Sequence, residues 1–136
     1  MELFYTDKSL ENDFSFQEFI KNSPGTGYLK IRATSANEAV PVEGLNIKVS
    51  KEIGNNKIIF YEGKTDYSGM INNISLPAPM AITDDLVEPN FTDYLIEATN
   101  KDIKQEYTIS ICCGFTVIQY INVTPTVNEI RNYYGS

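Results

Sequence analysis

An all-β fold, an antiparallel β-sandwich of about seven strands with a short N-terminal helix, is predicted by three observations. From Gly27 onward apolar residues recur with a period of two, which puts one set on a core face and the other in solvent. Clusters of turn formers separate these runs. The segment Thr65-Asp66-Tyr67-Ser68-Gly69, followed by Ile74-Ser75-Leu76-Pro77-Ala78-Pro79, reads as a tight turn between two short strands. It carries no catalytic chemistry, and about seven strands is what a small sandwich needs.

The first 24 residues differ from the rest, with Phe4, Tyr5, Phe14, Phe16 and Phe19 set among polar groups. Ser15 and Glu18 fit a capping box, in which the hydroxyl takes an orphan amide and the carboxylate reaches back to the cap. Phe14 and Phe19 then take the staple positions, and Phe16, Phe19 and Ile20 share one face. Asn22-Ser23-Pro24-Gly25 ends the helix, because Pro24 lacks a donor and restrains the residue before it. Such a helix docks either on its own domain or on a neighbour.

The strands follow. Leu29, Ile31 and Ala33 alternate with Lys30 and Arg32, and Leu45, Ile47 and Val49 with Asn46 and Lys48. Tyr94, Ile96 and Ala98 alternate with Leu95 and Glu97, and Tyr107, Ile109 and Ile111 with Thr108 and Ser110. Residues 58–62, 74–76 and 117–123 complete the set. Turns are expected at Ser35-Ala36-Asn37, Gly54-Asn55-Asn56, Asp66-Tyr67-Ser68-Gly69 and Asn100-Lys101-Asp102, and a longer loop over 77–93. This divides the chain into an aromatic arm (1–24), a sandwich (25–127) and a tail (128–136). Because the strands begin after Gly25 with their own core alternation, the sandwich is expected to stand without the arm.

Composition narrows the function. A chain of 136 residues is one domain's worth. The net charge of -7 repels phosphate backbones, so nucleic acid is not an expected partner. No apolar run approaches a membrane span, so no insertion is expected. The N-terminus lacks the basic start and apolar stretch of a secretory signal, so synthesis in the cytoplasm is expected, with a spore or cell surface reached by another route. With no His and only two Cys, nucleophilic pairs built on His are excluded and a zinc site lacks ligands. No cofactor is expected.

Several motifs resemble one family. Gly27-Tyr28-Leu29-Lys30-Ile31, Pro41-Val42-Glu43-Gly44-Leu45, Thr65-Asp66-Tyr67-Ser68-Gly69 and Leu76-Pro77-Ala78-Pro79 follow the order of the carboxypeptidase-regulatory-like domain. Tyr94-Leu95-Ile96-Glu97-Ala98 looks like its next core strand. Thr116-Val117-Ile118-Gln119 with Asn122-Val123-Thr124-Pro125 looks like its closing strand. The resemblance spans about residues 16–127 and implies a transthyretin-like (Ig-like, prealbumin-like) sandwich, as in spore cortex-lytic-type proteins of spore-forming anaerobes. Some of those carry a similar Phe-rich helix and Pro-Gly entry before the first strand. There the domain sits beside a separate peptidoglycan-cleaving domain, which this sequence does not contain. Many relatives place an aromatic residue and Gly where this chain has Asn100-Lys101-Asp102.

Four side-chain groups are candidates for chemistry. Cys112-Cys113 on a strand would point to opposite faces, with Cys113 continuing the core face of Tyr107, Ile109 and Ile111 and Cys112 placed to cross-link a neighbour. Lys30, Glu97 and Asn122 are the residue types of a Lys–Asn weld, but Lys30 and Glu97 belong to the polar sets, whereas a weld needs a buried trio. Asp84, Asp85 and Glu88 with Asp66 lack the regular spacing of a calcium loop. Tyr133 and Tyr134 can stack on sugar rings. The expected function is a non-enzymatic structural protein assembling with copies of itself into a fibre or layer of a spore or cell surface through its N-terminal arm and the open edges of the sandwich, its interaction residues being Phe4, Tyr5, Phe14, Phe16, Phe19 and Ile20. A monomeric module for peptidoglycan or another envelope glycan is the alternative.

Overall fold

The computed structural model describes residues 2–35, 39–80, 90–101 and 103–123. The alternating runs are strands: β2 (Gly25–Ser35), β4 (Asn46–Ile53), β5 (Asn56–Lys64), β6 (Met70–Ala78), β7 (Thr92–Thr99), β8 (Lys104–Ile111) and β9 (Thr116–Val123). Two short strands join them, β1 (Glu2–Phe4) and β3 (Val40–Pro41). One sheet has the order β1-β5-β4-β7-β8; in the other, β2 pairs with β3, β6 and β9. The inward sets named above are buried between the sheets, Leu29, Ile31, Ile47, Val49, Ile96 and Ile111 among them, with Tyr107 packed at the margin.

Two features depart from a purely antiparallel sandwich. β1 pairs with β5 in parallel, and β9 lies parallel to β2 from Tyr28↔Thr116 to Ser35↔Val123. Period-two patterns carry no direction, so alternation alone cannot separate the two cases. Two bulges also adjust the core. On β6 the register passes from Leu29↔Ile74 to Ile31↔Ile71, with Asn73 at φ 60°. Ile71 and Ile74, three apart, therefore both reach the core. On β5 the register passes from Val49↔Tyr61 to Ser50↔Ile59, leaving Phe60 as the extra residue.

The tight turn forms as its residues dictate. Asp66 Oδ1 accepts from Ser68 N at 2.8 Å and Met70 N at 2.9 Å, the usual way Asp closes a turn on its own backbone. Buried Thr65 donates to the Val42 carbonyl at 2.6 Å and accepts from Leu45 N at 3.0 Å, tying the turn to the loop before β4.

The arm folds onto its own sandwich. A 3-10 turn (Lys8–Asn12) leads into α1 (Phe14–Asn22). The cap is Asp13 rather than Ser15: its Oδ1 accepts from Phe16 N at 2.9 Å, and Ser15 lies inside the helix. A carboxylate one residue before the helix both takes an orphan amide and suits the positive end of the dipole. Leu10 and Phe16 enter the core cluster, so the boundary at residue 24 does not part the arm from the sandwich. Two packed sheets leave an apolar opening at each end, and here the arm covers one.

Tyr94, buried at that end, donates from its hydroxyl to the Pro77 carbonyl at 2.5 Å, and burial pushes its ionisation above the usual phenol range. The folded state thus keeps a proton that the unfolded chain gives up near pH ~10. This contribution is whole below pH ~10 and is lost as pH rises beyond it. Tyr94→Phe is expected to cost about 1 kcal/mol at neutral pH through the lost hydrogen bond. It should also flatten the fall in melting temperature above pH ~10. Identical alkaline limbs in both proteins would refute this role.

Candidate interaction surfaces

The six arm residues separate into buried and exposed groups. Phe16 is only 6 % exposed, and Phe19 is partly buried with its ring tilted against Phe60 at 5.9 Å. Lys51 Nζ lies 5.9 Å from the ring centres of both Phe19 and Tyr94 and donates to the Asp93 carbonyl at 2.9 Å. This cation clamps the helix to the sandwich end. Phe16 and Phe19 therefore hold the arm to its own domain, the first of the two dockings expected of the helix. Phe4, Tyr5, Phe14 and Ile20 remain exposed, Phe14 at 77 %, while Tyr5 stacks on Phe60 at 5.6 Å.

The cysteines do not lie on a strand as expected. β8 ends at Ile111, and Cys112 to Phe115 turn into β9, with Gly114 at φ 81° donating to Thr26 O at 2.8 Å. Both thiols are free and partly buried. Cys113 packs on the core as expected, its Sγ filling the space where Gly25 lacks a Cβ. Cys112 is also half-covered rather than openly presented.

Lys30, Glu97 and Asn122 are not brought together. Lys30 and Asn122 lie on the second sheet, where Lys30 is level with Ile118 and Asn122 with Thr34. Glu97 lies on the first sheet, bound to Lys57, with Lys104 at 3.8 Å. It belongs to a network in which Lys48 donates to Glu2 at 2.9 Å and faces Glu62 at 3.6 Å. The bond from Lys48 holds the Glu2 carboxyl below its usual range. A shallow hollow of about 510 Å³ beside this network is lined by Lys48, Glu62, Gly63, Lys64 and Glu97.

Asp66 spends its carboxylate on the turn. Asp84, Asp85, Glu88, Tyr133 and Tyr134 lie outside the described residues. Among the described residues no group of three or more His, Cys, Asp or Glu side chains is arranged to hold a metal, and no helix is long and apolar enough to cross a membrane.

One surface escaped the sequence reading. Along β9, Ile121 and Val123 face the core, while Ile118 and Tyr120 are 48 % and 55 % exposed; Phe115, just before the strand, is 60 % exposed. Both alternating sets of β9 carry apolar residues, so one must face outward. That interleaving is the signal that marks the surface.

No protein-family model and no curated protein matches the chain. Solved structures do. The 5-hydroxyisourate hydrolase of Klebsiella pneumoniae matches with TM-score 0.51 at 13 % identity, over 74 % of this chain and 91 % of that one. The Bacillus anthracis TIE protein matches with TM-score 0.53 at 18 % identity, over 75 % of this chain but only 17 % of that one. GBS52, the minor pilin of Streptococcus agalactiae, matches with TM-score 0.50 at 16 % identity, over 75 % of this chain and 46 % of that one. Likeness at these identities is a likeness of fold: the chain has a transthyretin-like β-sandwich.

Proposed function

We propose that this chain is a structural subunit without catalytic chemistry of its own, assembling with copies of itself on a spore or cell surface. The observation that carries the reading is the exposed pair Ile118 and Tyr120, two apart on one face of β9, with Phe115 also exposed just before the strand. Contiguous apolar side chains on a sheet face are costly in water and gain by being covered. The exposed arm residues Phe4, Tyr5 and Phe14 supply a second such surface. The same fold serves in a minor pilin, and the motif resemblance to carboxypeptidase-regulatory-like modules of spore proteins agrees with a non-catalytic part.

Size-exclusion chromatography with light scattering, followed by negative-stain microscopy, tests this across a concentration series. Fibres or rings are expected. Ile118→Ser with Tyr120→Ser should raise the concentration needed for assembly about tenfold or more, the equivalent of ~1.4 kcal/mol. A wild-type monomer at every concentration, or turnover of 5-hydroxyisourate by the purified chain, would overturn the reading.

A further inference from the structure

Resting on that reading, we propose that copies join head to tail, the cationic outer face of the second sheet in one copy seating the acidic, aromatic arm of the next. The charge distribution carries this. The chain has 18 acidic residues, yet β2, β3, β6 and β9 contain none. The outer face of that sheet instead presents Lys30 and Arg32, two apart on β2 and so about 6.5 Å apart along one side of the strand. Among the described residues all six ion pairs lie on strands of the first sheet, and neither Lys30 nor Arg32 takes part in any. The parallel register sets Ile118 beside Lys30 and Tyr120 beside Arg32. Two cations with no ion pair among the described residues, flanked by exposed apolar side chains, form a surface with interface character, since aromatic residues and Arg are enriched where proteins meet.

The identity of the partner surface follows from the sign of the charge. If two such faces met symmetrically, Lys30 and Arg32 would oppose their own copies, and like charges across an interface are strongly unfavourable. The face therefore meets a different, acidic surface. Residues 4–14 provide one: Asp7, Glu11 and Asp13 against Lys8 alone, a net of -2, with Phe4, Tyr5 and Phe14 exposed. Its first strand lies along the β5 edge of the first sheet, so among the described residues the arm does not cover the outer face of the second sheet in the same molecule. A contact between two unlike patches of one chain does not close on itself unless the rotation permits a ring; otherwise it propagates as a filament.

The test blocks each patch separately in the full chain. Lys30→Glu with Arg32→Glu removes the cationic face; Glu11→Lys with Phe14→Ala removes the acidic one. Each variant should keep the wild-type circular dichroism and melting temperature, and should need about 100-fold higher concentration to assemble. Mixed at equal amounts, they should form a one-to-one dimer that extends no further, because one supplies the intact arm and the other the intact face. The dimer also proves both variants folded. Wild-type assemblies that persist unchanged in either variant would sink this interface while leaving self-assembly standing. A wild-type chain that never assembles would remove both. A wild-type monomer held on heparin and released by Lys30→Glu with Arg32→Glu would replace the second copy with a polyanionic ligand.

Discussion

Phe16→Ala is expected to lower the stability of the isolated domain by about 3–5 kcal/mol, the range for truncating a packed aromatic. Phe16 sits in one core cluster with Leu10 and Tyr94, and Asp13 fixes its helix by accepting from its amide. Phe14, two residues earlier, is exposed, and Phe14→Ala should change monomer stability by no more than about 0.5 kcal/mol. Denaturant melts below the assembly concentration measure both. Deleting residues 1–24 removes Leu10, Phe16 and β1 together, so the shortened chain should melt far below the intact one. This reverses the expectation that the sandwich stands without its arm. If Phe16→Ala melts like the wild type, the arm is not docked on its own domain in solution.

Gly69→Ala is expected to cost more than Gly44→Ala, although both glycines have left-handed backbones, with φ 75° and φ 78°. A Cβ in that region costs ~1–2 kcal/mol by itself. At Gly44 an added Cβ meets nothing within 4 Å. At Gly69 it would press on the carbonyl oxygen of Ala33, while Ala33 N donates to Gly69 O at 2.7 Å. Relief there means parting the turn from β2. The Gly44 variant should lose only the conformational cost, and the Gly69 variant about 2 kcal/mol or more in total. Equal losses would show that crowding against Ala33 does not constrain the turn.

Most of the sheet architecture was legible because period-two alternation is a local signal. Leu29-Ile31-Ala33, Ile47-Val49, Tyr94-Ile96-Ala98 and Ile109-Ile111 are buried as their alternation implies. The turn at Asp66–Gly69 was legible because Asp and Gly act within four residues. Cys112 and Cys113 were misplaced onto β8 because the two-residue alternation of Ile109 and Ile111 was carried past the end of the strand. Gly114, whose φ is 81°, turns the chain there. The two bulges were missed because each depends on what the neighbouring strand places opposite.

For the interaction surfaces the division is sharper. By itself the sequence determined that one strand, β9, carries apolar residues on both alternating sets, that the arm is aromatic and acidic, and that neither region contains His. Only the tertiary structure decided which aromatics are used internally. Phe16 is enclosed because the open end of the sandwich needs an apolar cover, and Phe19 because Lys51 and Phe60 meet it there. Only the parallel pairing of β9 with β2 set Ile118 and Tyr120 beside Lys30 and Arg32, residues about ninety positions away along the chain. Composition and periodicity act over a few residues, whereas charge and apolar surface add up over whatever the fold brings side by side.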